Sequence, residues 1–371
     1  MTKTLIVGGG IGGMAAGIKL SELGHAVELI DIDPKWRVYG AGITITGPTL
    51  RAYKHLSMVD DIASEGAITN GTRIFKFDGK FLRELDEPPL EEGLPATGGI
   101  MRPVLHNIMQ RQVRELDIPV RLGTTVDALE SDDGGVDVAF SDNSSGRYDL
   151  VIGADSIYSK VRELAFPHAV KPPFTGQGCL RVSMQRPPDF DRGEFYFGHE
   201  RPAGITACGP NSCYMFMLLR DDKREYWPDE ELYERAHELM APFGGNIGWM
   251  RENMTKDDWI NYRPLEAAIQ PRPWHTGRIT LLGDSAHATT PHLASGAGMA
   301  VESAIVLGEE LQKTGGDILA ALDAYEERRF ERCRDVVESS LEIGEAQLRG
   351  AGPEEVGKLI GGALHRLAAP F

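Results

Sequence analysis

Residues 4–31 read TLIVGGGIGGMAAGIKLSELGHAVELID. A short β-prone run, Thr4–Val7, stops at three glycines. Apolar residues then recur at helical spacing (Ile11, Ala15, Ile18, Leu23), Gly24 closes the segment, and AVELID reads as a second strand. That order is a βαβ unit. Its turn carries Gly8-x-Gly10-x-x-Gly13, and each glycine has its own task. Gly8 permits the tight turn, Gly10 lets a pyrophosphate approach the backbone, and Gly13 lets helix and strand pack closely. The N–H groups of the helix start, around Ile11 and Gly12, are suited to holding phosphate. Asp31 ends the second strand about 20 residues beyond the glycines, where a carboxylate accepts from ribose hydroxyls. The same pattern serves FAD and NAD alike, and a glycine turn without ligand remains the plain alternative.

The buried-strand texture of this unit returns twice. DLVIGADSIYSKVR (Asp149–Arg162) is a strand ending at Gly153-Ala154-Asp155, then a helix. RITLLGD (Arg278–Asp284) is a strand ending at Gly283-Asp284, and AHATTPHLASGAGMAVESA follows it. RPVLHNIMQRQVREL (Arg102–Leu116) reads as a helix opened by an arginine, and strands are expected at 119–122, 125–130, 135–140 and 147–152. A hairpin over 73–85 turns at Asp78–Lys80. From about 175 the segments become short and strand-like with polar turns, which reads as an antiparallel sheet, with helices near 228–240 and 243–252. Residues 297–345 read as long amphipathic helix. The fold class therefore reads as α/β: a Rossmann-like domain (1–72, 99–174 and 262–345) interrupted by an antiparallel-sheet domain (73–98 and 175–261), with a C-terminal helix (346–371).

Over 371 residues the formal net charge is −16, which repels phosphate backbones and anionic lipid. Nucleic acid and membrane are thus not expected partners. No run approaches the roughly 18 apolar residues of a spanning helix, and the N-terminal apolar run is too short for a signal core. The four cysteines form no CxxC, so neither a redox pair nor a zinc knuckle is indicated, and a cytoplasmic setting is expected. His287 and His292 lack the HExxH spacing and a third ligand, so no metal is expected. A dehydrogenase without flavin would explain the glycines and Asp31 but not the later Gly283-Asp284 strand end.

Four ordered motifs together resemble the class A FAD-dependent aromatic hydroxylases, the p-hydroxybenzoate hydroxylase type of flavoprotein monooxygenase: the N-terminal glycines, the arginine opening a mid-chain helix, GADxxxSxVR, and GDxxHxxxP. The resemblance covers nearly the whole chain, and it implies that the Rossmann-like domain is a GR2-type FAD-binding domain and the antiparallel-sheet domain a substrate domain. It implies FAD on Gly8, Gly10, Ile11, Gly12, Gly13 and Asp31, with Arg102 over the adenosine–pyrophosphate portion and Gly283-Asp284 at the ribityl or pyrophosphate region. Pro291 and the helix start Gly296, Ala297, Gly298 and Met299 would flank the flavin ring. Asp155 falls on the family's shared FAD/NAD(P)H motif, although Ser156 stands where that motif has glycine. The implied reaction uses NAD(P)H and O2 and transfers oxygen through a flavin C4a-hydroperoxide to an aromatic or heteroaromatic ring. A homodimer is one option for the assembly.

PHLASGAGMAVE is similar to the corresponding segment of hydroxypyridine-carboxylate hydroxylases of the 6-hydroxynicotinate 3-monooxygenase kind, whereas Thr44 occupies a place where those enzymes carry histidine. His287 reads as support for the strand end. His292 is the candidate for substrate contact, either as a proton acceptor or as a pocket wall. Tyr214 either faces the ring or fills the core. Arg181 is a candidate partner for a substrate carboxylate, if its strand is not an exposed edge. Met184, Met215 and Met217 line a pocket or fill the core. Same-fold halogenases or reductases, or a non-catalytic FAD-binding protein, are the competing functions; the single Trp249 does not make the halogenase WxWxIP motif.

Overall fold

The computed structural model describes residues 2–38, 40–198 and 200–371. Strand Lys3–Val7 sits inside a six-stranded sheet, flanked by Ala26–Asp31 on one side and Leu150–Gly153 on the other. Val120–Leu122 and Ile279–Leu281 extend it in parallel, and only the short His275–Thr276 edge runs antiparallel. The buried runs in these strands explain their near-continuous apolar character, since helices cover the sheet. The expected strand over 147–152 is two strands. Ser145–Tyr148 belongs to a three-stranded meander, and Leu150–Gly153 to the parallel sheet. Asp149 divides them, accepting from the Lys3 amide through its carboxylate at 2.7 Å.

A seven-stranded sheet follows the order Trp259–Glu266, Phe174–Gln185, Ser212–Arg220, Ala203–Ala207, Gly193–Phe197, Gly71–Lys76, Phe81–Asp86. All its pairings are antiparallel except Gly193–Phe197 with Gly71–Lys76. Side chains alternate across each strand. Leu180, Val182 and Met184, with Cys213, Met215 and Met217, pack into a second core shared with helices Asp229–Leu239 and Gly245–Asn253. The methionines therefore fill this core rather than line a pocket. The alternate residues, Arg181 and Tyr214 among them, face the opposite way.

The long C-terminal helix of the sequence reading is broken in two, Gly296–Lys313 and Ile318–Leu348. Gly315 and Gly316 make the break, both at positive φ (63° and 105°) that favours glycine. A last helix, Pro353–Leu367, packs back on the second. Glu302, buried between Arg329 and Arg332 at 2.8 Å from each, fastens the first long helix to the second. No helix of the described residues is long and apolar enough to cross a membrane.

Candidate active site

The carboxyl ends of the parallel strands open on a cavity of about 490 Å3. This is where open α/β sheets place ligands, because the helix N-termini converge there. On the sheet side the wall is Gly9–Gly12, Asp31, Ala154, Ser156 and Leu282–Asp284. Helix Ile11–Glu22 starts here with no side chain capping it, as does helix Gly296–Lys313. Their first-turn N–H groups are thus offered to whatever occupies the cavity.

The glycine tasks separate in the structure. A β-carbon on Gly10 would meet nothing within 4 Å, so the space over it belongs to the cavity. A β-carbon on Gly13 would collide with the carbonyl of Gly8, and one on Gly8 with the carbonyl of Ala154. Gly8 and Gly13 are therefore packing glycines off the cavity wall, while Gly10, Ile11 and Gly12 line it. Asp31 accepts from the Gly9 amide and the Asp33 amide, each at 2.7 Å. The Trp36 indole N–H donates to the Gly9 carbonyl at 2.9 Å. Gly9 is so held through both of its backbone groups.

Arg102 and Asp284 line the cavity, and both are exposed there. Burial raises the Asp284 carboxyl above its usual range, opposed by Arg102. Burial and nearby Arg181 push the Arg102 guanidinium down, opposed by Tyr214 and Asp284. Gly283 holds φ 69° and ψ −141°, which aims the Asp284 helix start at the cavity.

Asp155 does not line the cavity. Its carboxylate accepts from the Ser159 hydroxyl at 2.5 Å and the Val161 amide at 3.0 Å, which holds the start of helix Lys160–Ala165. Neighbouring Ser156 is on the wall, at a positive φ of 74° where the family motif has glycine. Pro291, Gly296 and Ala297 line the cavity, but Gly298 and Met299 do not. At about 100° per residue the helix turns them inward. Gly298 closes against Thr49, and Met299 lies under Arg329.

The seven-stranded sheet covers the other side. Opposed residues of paired strands share a face, so Arg181, Phe216, Gly204 and Phe195 form one row across four strands. Ser183, Tyr214 and Thr206 form the next. Strand Phe174–Gln185 is hydrogen-bonded on both sides, so the exposed edge considered for Arg181 is not found. Arg181 and Tyr214 both line the cavity and interact electrostatically, and burial is the main reason the Tyr214 hydroxyl is raised to about 12. Thr44, on the strand Gly42–Ile45, meets the Thr206 hydroxyl at 3.0 Å.

The two histidines point apart. His287 is buried off the cavity, 3.0 Å from the Ser303 hydroxyl, and burial with Arg329 nearby lowers it to about 3. Among the described residues no cluster of three or more His, Cys, Asp or Glu could hold a metal. His292 lines the cavity with Nδ1 2.7 Å from the Thr290 hydroxyl and Nε2 3.2 Å from Gln347 Oε1. Burial lowers it to about 4. Trp249 packs on the second core, off the cavity.

Several wall residues escaped the sequence reading. His106 lies one turn beyond Arg102 on the same helix face, a spacing that could have pointed to it. Phe195 and Phe216 alternate with core residues, which also left a signal. Gln347, near the end of a 31-residue helix, left none.

A protein-family model described as an FAD binding domain matches residues 1–340. YetM of Bacillus subtilis (strain 168), whose name assigns it provisionally as an FAD-dependent monooxygenase, is 32% identical over 360 residues, spanning 96% of this chain and 97% of that one. The FAD-dependent urate hydroxylase of Klebsiella oxytoca is 28% identical over 365 residues, covering 90% and 88% of the two chains. The crystal structure of Klebsiella pneumoniae HpxO complexed with FAD and uric acid superposes with a TM-score of 0.86 at 22% identity, covering 100% of this chain and 97% of that one. With its glycine turn, its Asp284 strand end and its sheet-covered cavity, the chain belongs to the FAD-binding family of class A flavoprotein hydroxylases.

Proposed function

We propose that the protein hydroxylates a small aromatic or heteroaromatic ring bearing an acidic group, using NAD(P)H and O2. One observation carries this reading: a single cavity joins an uncapped glycine-turn helix start to an aromatic wall that holds a guanidinium. Gly10, Ile11, Gly12, Asp31, Arg102 and Asp284 would hold the FAD. The open space over Gly10 and the uncommitted Arg102 and Asp284 side chains fit such a group. Bound FAD supplies hydride acceptance from the nicotinamide and activation of O2 for oxygen transfer.

The chain's own residues do the rest. The uncapped N-terminus of helix Gly296–Lys313 stabilises negative charge beside it. Phe195 and Phe216 offer apolar surface to a flat ring and keep water off it. Arg181 and Tyr214 donate to a carboxylate or a phenolate. His292, already bonded at both nitrogens and lowered to about 4, stays neutral at physiological pH. Residues 73–98 and 175–261 would thus form the substrate domain, and residues 1–72, 99–174 and 262–345 would hold the cofactor.

A panel of hydroxylated aromatic and heteroaromatic acids, scored for stimulated oxidation of NADH and NADPH with peroxide release followed in parallel, tests the reading. Stimulation by one ring class with little peroxide supports it. A yellow protein that no ring stimulates speaks for a binding role instead.

A further inference from the structure

Gln347 ends the helix Ile318–Leu348 with its carboxamide on the cavity wall. Its Oε1 lies 3.2 Å from His292 Nε2 and 3.3 Å from Gln177 Nε2. Its Nε2 meets no acceptor among the described residues and is not sealed inside the protein. We propose that Gln347 is a specificity-determining residue: its –NH2 is a hydrogen-bond donor for an acceptor oxygen or ring nitrogen of the substrate, and His292 and Gln177 are the positioning residues that aim it.

The argument is one of satisfaction. A carboxamide presents one acceptor end and one donor end. Two donors on Oε1 leave the –NH2 as the end for the cavity. His292 supplies its donor only as the Nε2–H tautomer, and the Thr290 hydroxyl then donates to Nδ1. A half-buried imidazole with both nitrogens used is no free base, so its place beside the cavity is explained by Gln347 rather than by proton abstraction. Gln177 is itself buried, its Oε1 turned toward Gly344, where only the missing side chain leaves room. Reversing Gln347 requires reversing Gln177 and moving the histidine proton to Nδ1. The histidine tautomer therefore reports the amide orientation.

The recognition role rests on the proposed hydroxylase function; the amide orientation does not. In FAD-loaded protein labelled with 15N-histidine, with His292 assigned by its loss in His292→Gln, Nε2 is expected to resonate as a protonated nitrogen and Nδ1 as an unprotonated one at pH 7. The reverse tautomer, with Nε2 unprotonated, overturns the orientation. Gln347→Glu keeps the acceptor for His292 but removes the donor. With the ring that most stimulates NAD(P)H oxidation in the unaltered enzyme, it is expected to raise KM about tenfold or more with FAD still bound. An unchanged KM overturns the recognition role. If no ring stimulates the unaltered enzyme, the proposed function falls and the recognition role with it, while the tautomer still tests the orientation.

Discussion

Gly10 and Gly13 sit three residues apart in one turn, yet they should fail in different ways. Gly13→Ala forces a methyl into the Gly8 carbonyl, so the strand and helix must part. The expected result is a large loss of stability, on the order of 3 kcal/mol, seen in denaturant melts with or without FAD. Gly10→Ala puts its methyl into the cavity. It should melt like the unaltered apoprotein and lose FAD affinity instead, read by flavin release on dilution. Equal melting losses for both would refute the division of tasks. On the opposite wall, Arg181→Gln removes the guanidinium that stands beside Phe216 on the cavity wall. It is expected to raise KM for carboxylated or phenolic rings by roughly tenfold to a hundredfold, as a charge-assisted hydrogen bond would. An effect confined to kcat would argue against a binding role.

At the scale of elements, buried His287 and half-buried His292 tie pH to stability. Both are lowered from an ordinary 6.5 by burial, His287 to about 3 with Arg329 adding to it, and His292 to about 4. Between those values and 6.5 the unfolded chain binds more protons than the folded one. Their contribution is therefore full above about pH 6.5 and declines as pH falls toward 4. Melting temperature should drop over that window, and His292→Gln should flatten the drop. An identical slope in the variant would contradict the assignment. The last helix is held from outside: Arg51 donates to the carbonyls of Ala368 and Ala369 at 2.9 and 2.6 Å. Arg51→Met should loosen residues 353–371 by about 2 kcal/mol, with faster trypsin cleavage there as the measure.

Elements were legible in the sequence wherever a local rule makes them. The glycine turn, the Arg102 helix and the alternation of the second sheet all follow from chain-local spacing. The break at Gly315-Gly316 was missed because the amphipathic pattern resumes in phase beyond it. The Arg181 strand was misjudged as a possible edge because its two neighbours, 212–220 and 259–266, are chosen by pairings far along the chain. Asp155 carries the motif's carboxylate, but a nearby serine hydroxyl and an amide use it locally.

Across the whole molecule, two cores that share little sequence meet at one cavity. The parallel sheet brings helix N-termini to it, and the antiparallel sheet brings aromatic rings and Arg181. Gln347 reaches the same wall from the far end of the chain. The C-terminal helices thus help build the site as well as brace it. The central claim is oxygen transfer from O2 to a ring held in this cavity. Turnover under 18O2, with the ring that stimulates NAD(P)H oxidation, tests it most directly. The account expects one 18O atom in each product molecule, at a ring carbon. A product labelled only from water, or stimulated oxidation that yields peroxide and an unchanged ring, would contradict it.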